Sequence, residues 1–555
     1  MSAIRKELVN AVLTRSIALI DYNVYNDIHK QNEFRKQTVL ADNSLTKDEK
    51  TFAINWMTRS CDRDKILENS GTKRICENCK QECLATLYCE ICVRNYLKSN
   101  FSNWTSGNND VDNLIQNCQI KTIVPSVVIE WIPYNNLQNI KYLTKGGFSE
   151  IYTATWTSGG YYDWDSEKQQ LIRFGDHYVI LKSLENVESA DQSWFEEAIS
   201  HLTISNKWPN IVQCFGLTQN ISNGNYMLVM NKMDINLREY LQKNRNQLTW
   251  KQKINITFEI IRALYFIHKE NSIHRDLHSG NILYSQINGG WYISDLGFCG
   301  PANKSSKCIY GNLPYIAPEV INGKEYTFKS DIYSIAMLMW EISSGQPPFI
   351  NYEHDYDLAI NIINGIRPKI VLGTPIEYKN LMEQCWDADP SKRPDHEELT
   401  KIREINLYYQ NMTDESFQQE TFNNMESNET NNLTNNTNSR LFTSKIHQFE
   451  NLPEPRNATE EELEAFHSKR YDFNIPNNID DFNKSSNQNI NNFKAPVSEN
   501  LSKTFRKLQI KDEKAQETNE LNINFNDDKD DDEEVYNNPN FHSEEQDEFE
   551  IPNDI

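Results

Sequence analysis

Residues 273–283 read IHRDLHSGNIL. The stretch sets a carboxylate, Asp276, and an amide, Asn281, five positions apart in a short polar loop between apolar ends. A single Asp in such a place is ordinarily a helix cap or a turn residue. The residues on either side, in their order, ask for more than that.

Upstream, LTKGGFSEIY (143–152) sits between two strand-like runs. Gly146 and Gly147 let backbone N–H groups approach phosphate oxygens, although a Gly-Gly hairpin turn uses the same pair. VILK ends an apolar strand on Lys182, and SWFEEAISHL puts Glu196 and Glu197 on a predicted helix. Glu197 is the better partner for the lysine, because Ala198 then faces the body of the domain. Downstream, SDLG supplies Asp295, with Gly297 permitting the turn after it. Phosphoryl transfer asks for groups that hold phosphates in line, cations that neutralise charge, and a carboxylate that orients the attacking hydroxyl. Lys182, Glu197, Asp276, Asn281 and Asp295 offer those parts in one ordered set.

The surroundings divide the 555-residue chain into regions. Residues 1–70 read as helical, with Ile4, Leu8, Val12, Ile17 and Leu19 as an apolar stripe and a Thr46/Glu49 capping box. Residues 71–100 are a cysteine-rich knot, 101–136 a polar linker, and 137–404 the unit with every catalytic signal. In that unit strands come first and helices afterwards, which gives an α+β class with two lobes. Residues 405–555 are an acidic, Asn-rich tail, expected to be disordered because it has too little apolar surface to offset chain entropy. Within it, TEEELEAFHSKR has the pattern of a short helix.

Net charge is −23, but residues 411–555 hold 32 acidic against 13 basic side chains. The remainder is nearly balanced, so no basic surface points to nucleic acid or an anionic membrane as partner. The N-terminus has no apolar signal core, and the longest apolar run, IAMLMW, is too short to span a bilayer. A reducing, cytoplasmic compartment fits the odd count of 11 cysteines, several of them single in catalytic-looking segments, with the nucleus left open. Four of them form Cys76-x2-Cys79-x9-Cys89-x2-Cys92, with Cys83 inside. Paired CxxC knuckles suit a structural Zn²⁺. Reduced packing cysteines and redox chemistry remain the alternatives, and the knot and the acidic tail are both candidate docking surfaces.

Residues 137–404 resemble a eukaryotic protein kinase domain. The likeness rests on GGFSEIY, VILK, HRDLHSGN, DLG and PYIAPE, together with KSDIYSIAMLMWE and CWDADPSKRP. YGNLPYIAPEV and the CW…RP segment resemble the tyrosine-kinase-like branch. The entry EWIPYNNLQNIKYLTKGGFSEIYTATW, with the cysteine knot before it, resembles an expanded set of fungal kinases. The resemblance implies a small β-rich lobe on a helical lobe, with ATP at the hinge. Thr144, Lys145, Gly146, Gly147, Phe148, Ser149 and Ile151 would cover the nucleotide. Ile180, Met230, Asn231, Met233 and Leu283 would surround the adenine, and Lys182 would meet the phosphates. Asn281 and Asp295 would hold Mg²⁺, Asp276 would orient the hydroxyl of a protein substrate, Asp331 would brace the catalytic loop, and Arg393 would pair with Glu319.

The pattern is broken in places. Thr144 and Ser149 replace two glycines, Ile180 replaces an alanine, and His278 replaces the lysine of serine/threonine kinases. Tyr315 before IAPE favours Ser/Thr acceptors, while Asn312 leaves Tyr open. Arg275 is placed to clamp a phosphate on Ser305, Ser306 or Tyr310. The competing reading is a pseudokinase scaffold that binds nucleotide and partners.

Overall fold

A computed structural model describes residues 4–21, 24–25, 27–146, 149–184, 194–245, 247–301, 309–399, 401–411 and 444–468. Alternation of side chains along His177–Ser183 organises the first lobe. Val179 and Leu181 point to one face, where they meet Trp156, Phe215, Met227 and Val229. Ile180 turns to the opposite face, against Ala198 and Leu202 of the helix Trp194–Ile204. A period of two thus puts Lys182 on the helix side of the sheet. The sheet has six strands, in the spatial order Glu130–Trp131, Cys214–Gln219, Tyr226–Asn231, His177–Ser183, Glu150–Trp156 and Leu137–Lys145. All neighbours are antiparallel except Glu130–Trp131, which runs parallel to Cys214–Gln219. That pairing needs Gly216, at φ +146°, because a Cβ there would lie 1.8 Å from the Glu130 carbonyl oxygen.

The second lobe is helical. Trp250–Lys269 opens with a Thr249/Gln252 capping box and buries Ile254, Ile260, Leu264 and Ile267. Phe328–Ser344 is apolar on nearly every face and is buried along almost its whole length, ending at Gly345 in the left-handed region. Two short hairpin strands, Ile282–Ser285 and Gly290–Ile293, lie at the junction of the lobes and pair Ile282 with Ile293. No described helix is long and apolar enough to cross a membrane.

Three helices, Lys6–Ala18, Ile28–Ala41 and Lys47–Leu67, form the N-terminal region. The third carries the Thr46/Glu49 capping box. The apolar stripe differs from the expected one. Val9, Val12 and Leu13 are buried, whereas Ile17 and Leu19 are exposed. The helix stops at Ala18, so Leu19 leaves it, and Ile17 stands well round the cylinder from Val12.

Residues 101–136, expected to be a linker, contain the helix Asn109–Ile120, N-capped by Asn108. Val111 and Ile115 are fully buried and share a core with Ala198 and Leu202. The signal was the spacing of Val111, Leu114, Ile115 and Cys118, hidden among polar neighbours. The cysteine knot packs on the first lobe through Trp164 and Leu171, which belong to a hairpin of Tyr161–Asp165 with Gln170–Arg173.

The expectation of disorder across 405–555 is corrected over two stretches. Lys401–Asn411 is helical. Residues 444–468 hold the strand Lys445–His447 and the helix Glu460–His467, the latter with a Thr459/Glu462 capping box. Phe449, Leu452, Leu463 and Phe466 pack against the core of the helical lobe. The short helix read from TEEELEAFHSKR is present as Glu460–His467, while averaging the composition over the tail concealed the other anchors. The rest of the tail lies outside the described residues.

Candidate active site

Lys182 lies near the end of its strand, opposite Ile151 and Leu228 of the flanking strands. Its Nζ lies 2.6 Å from Glu197 Oε1 and 2.6 Å from Asp295 Oδ1. Burial works against the ammonium, but Asp295 and Glu197 outweigh it and raise its pKa above the ordinary value. Burial also opposes ionisation of Asp295, yet Lys182 holds that carboxyl below the usual range. Glu197 goes the other way: burial pushes it up, with Lys182 opposing. Two carboxylates therefore share one cation, and the cleft favours further positive charge.

His201 stands one turn after Glu197, with Nε2 3.9 Å from Glu197 Oε1. That nitrogen accepts a hydrogen bond from the Leu296 N–H at 3.2 Å. Burial lowers the imidazole pKa to about 3, so the ring is neutral and ties the helix to the DLG turn. Asp295 itself has φ +57°, a left-handed position held by the Gly297 N–H donating back to Oδ1 at 3.2 Å.

The loop around Asp276 is fixed from beneath. Asp331 is fully buried, and its Oδ2 accepts from the His274 N–H at 2.8 Å while Oδ1 accepts from the Arg275 N–H at 3.0 Å. His268 Nε2 lies 2.8 Å from the same Oδ2. Burial would raise the Asp331 pKa, but the His268 contact and its neighbours lower it. These bonds hold Arg275 at φ +69°, a conformation costing about 1–3 kcal/mol for a non-glycine residue. Asn281 donates its amide N–H to the Asp276 carbonyl at 2.9 Å, which leaves its own carbonyl oxygen for a cation. The Ser294 N–H donates to the Asn281 backbone carbonyl at 2.8 Å, so the ladder brings Asn281 and Asp295 to one end of the hairpin. A carboxylate and an amide oxygen are hard donors and suit Mg²⁺.

The remaining predicted positions fall around this centre. Thr144 and Lys145 end the strand Leu137–Lys145, opposite Ile151 and Glu150. Gly146 donates its N–H to the Ser149 carbonyl at 2.8 Å. Gly147 and Phe148 lie outside the described residues. Ile180, Met230, Met233 and Leu283 share one apolar cluster, and Asn231 donates its N–H to the Gln213 carbonyl at 2.9 Å. Glu319 and Arg393 form a bidentate buried pair at 2.7 and 2.6 Å. Tyr310 is buried, stacked on Phe298 at 3.7 Å, and burial raises its phenol pKa. Ser305 and Ser306 lie outside the described residues. Sequence reading missed His201 and Ser444. Nothing in the local pattern of either residue announces the contact it makes.

Residues 137–402 match the family described as protein tyrosine and serine/threonine kinase. This segment, just under half of the chain, resembles a protein kinase domain. The chain is similar to dual specificity protein kinase zakA of Dictyostelium discoideum, at 30% identity over 38% of this chain and 29% of that protein. The probable serine/threonine-protein kinase roco8 of the same organism is 34% identical over 32% of this chain and 10% of its own length. A dual serine/threonine and tyrosine protein kinase of Danio rerio is 31% identical over 40% of this chain and 25% of that protein. This chain thus spans less than a third of each of these relatives.

Outside the kinase domain, the Sγ atoms of Cys76, Cys79, Cys89 and Cys92 all lie within 4.8 Å of one another. Cys76 and Cys92 are 3.7 Å apart, as are Cys79 and Cys89. Tetrahedral thiolates at about 2.3 Å from Zn²⁺ would stand roughly 3.8 Å apart, so the four residues fit that ion. Burial raises the Cys83 thiol pKa, and Cys83 stands beside the cluster rather than within it.

Proposed function

We propose that this chain is a protein kinase that transfers the γ-phosphoryl group of ATP to Ser or Thr hydroxyls of proteins. The observation that carries the reading is the Lys182 ammonium, 2.6 Å from both Glu197 and Asp295. That geometry holds the lysine where it meets phosphates while leaving Asp295 at the mouth of the cleft. Asp276 accepts the hydrogen bond of the acceptor hydroxyl and orients it for attack. Thr144, Lys145, Gly146 and Ser149 cover the phosphates, and Ile180, Met230, Met233 and Leu283 enclose the base. Mg²⁺ held by Asn281 and Asp295 would supply charge neutralisation. A scaffold that only binds nucleotide has no use for Asp276, and here a hydroxyl stands 2.7 Å from it.

The Ser/Thr preference rests on the identity of Tyr315 before IAPE; this residue is buried and donates its hydroxyl to Glu341 at 2.5 Å. Incubation with γ-labelled ATP and a mixed protein substrate, followed by phosphoamino-acid analysis, tests the acceptor class. Label on serine or threonine is expected; label on tyrosine alone refutes the preference.

The four clustered cysteines hold a structural Zn²⁺ in this reading. It cross-links a region whose own core is small and which leans on Trp164 and Leu171 of the kinase domain. Emission spectrometry should find one zinc per full-length chain and none in Cys79→Ser.

A further inference from the structure

Residues 444–468 lie on the kinase domain as a bound peptide lies on its receptor. Lys445–His447 adds antiparallel to Ile309–Gly311, with Ile446 opposite Tyr310 and Lys445 opposite Gly311. Side chains hold the same register: His447 Nε2 is 3.0 Å from the Gly311 carbonyl, and Lys445 Nζ donates to the His354 carbonyl at 3.1 Å. Further on, the Arg456 N–H donates to the Ile363 carbonyl at 3.0 Å, and the Ala388 N–H donates to Asn457 Oδ1 at 2.9 Å. The floor is cut to this path. A Cβ on Gly365 would lie 2.1 Å from the Ala458 nitrogen. Phe466 then stacks on Tyr352 at 5.4 Å and closes the contact.

This register delivers one hydroxyl to the catalytic carboxylate. Ser444 Oγ is 2.7 Å from Asp276 Oδ1 and 3.0 Å from His278 Nε2. His278 Nδ1 accepts the Gly280 N–H at 3.0 Å, so the proton of the neutral ring sits on Nε2 and points at Oγ. The serine hydroxyl, accepting that bond, turns its own hydrogen to Asp276. His278, at the position where serine/threonine kinases carry lysine, thus positions the acceptor. Gly311 gives the clearance, since a Cβ there would lie 3.3 Å from Asp276 Oδ1.

We propose that Ser444 is a phosphorylation site which the kinase domain modifies in its own chain, with residues 445–468 as the docked substrate peptide. The proposal rests on the kinase reading above. Ser444 Oγ attacks the γ-phosphorus of ATP; the new O–P bond forms as the bond to the β,γ-bridging oxygen breaks. ADP leaves with that electron pair, and the hydroxyl proton passes to Asp276 and then to water. The product carries about −1.5 to −2 charges beside Asp276, and the repulsion loosens the strand from Ile309–Gly311. Until then the segment fills both the hydroxyl position and the strand edge, so it competes with every other substrate.

The test uses the full chain, stripped of phosphate and then given ATP and Mg²⁺ at several protein concentrations. Mass spectrometry follows Ser444, hydrogen exchange follows the amides of 309–311, and a generic peptide reports transfer to other acceptors. Ser444 should gain phosphate at a rate independent of protein concentration, while in Asp276→Asn it gains it about 10²–10⁴-fold more slowly. The amides of Ile309 and Gly311 should be protected before the reaction and exposed after it, while that of Tyr310, which donates to the Tyr326 hydroxyl at 3.0 Å, should stay protected throughout. Phe466→Ala, which weakens docking away from the chemistry, should slow Ser444 modification by roughly tenfold and lower the KM for the generic peptide. Transfer to the peptide with Ser444 unmodified overturns the proposal and leaves the kinase reading standing. A Ser444 rate that rises with concentration overturns the intramolecular step. No transfer to either acceptor overturns the kinase reading itself.

Discussion

Acid should loosen this protein through one histidine. His201 is fully buried on the helix that carries Glu197, and its pKa falls from 6.5 to about 3. The cause is first burial and then the Lys182 and His274 charges, against Asp295. The unfolded chain therefore takes up a proton before the folded one does. Stability is complete above pH 6.5 and is lost as pH falls towards 3. Between pH 7 and pH 5 the difference in proton uptake costs about 2 kcal/mol for this side chain. The comparison is His201→Gln, whose carbonyl oxygen can still accept the Leu296 N–H that His201 Nε2 now receives at 3.2 Å. Urea unfolding of both proteins at the two pH values isolates the contribution, because every other titrating group is common to them. The wild type should lose about 2 kcal/mol more than the variant on acidification. Parallel losses would show that the imidazole is protonated, or solvated, in the folded state, and the neutral tie between the helix and the DLG turn would fall with it.

Other perturbations bear on other contacts. Glu319→Ala leaves the Arg393 guanidinium buried without its partner, and should cost about 3–5 kcal/mol, read as a fall in melting temperature of roughly 10 °C. Ile115→Ala opens a cavity behind the helix bearing Glu197; the loss should be about 2–5 kcal/mol in urea unfolding, against about 0.5–1.5 kcal/mol for Ile115→Val. Removing metal from the full-length chain with a strong chelator should lower its melting temperature, and added Zn²⁺ should restore it. A melting curve indifferent to the chelator would leave the four cysteines as packing residues.

Much of the centre was legible because phosphoryl transfer tolerates few side chains at its reacting atoms. Lys182, Glu197, Asp276, Asn281 and Asp295 are chemistry-bearing residues at characteristic spacing; the fold joins Lys182 to Glu197 and Asp295 at 2.6 Å, and Asn281 to the Asp276 carbonyl at 2.9 Å. What stayed hidden depends on contacts between distant parts of the chain. The helix Asn109–Ile120 hid because Val111 and Ile115 are spaced among Asn and Asp residues. Ser444 hid for a different reason. The apolar residues just after it, Ile446, Phe449 and Leu452, stand singly among polar neighbours, and no local pattern announces a pairing across more than a hundred residues. His278 was read as a departure from the kinase pattern, and only the partner on its Nε2 shows what the imidazole holds.

Asp276 is proposed to orient an acceptor hydroxyl for phosphoryl transfer. The most direct measurement compares initial rates of γ-phosphate transfer to a peptide for wild type and Asp276→Asn, with nucleotide binding measured on both. A loss of about 10²–10⁴-fold in rate with binding unchanged is the predicted result. Equal rates, or silence in both proteins with nucleotide still bound, would contradict it.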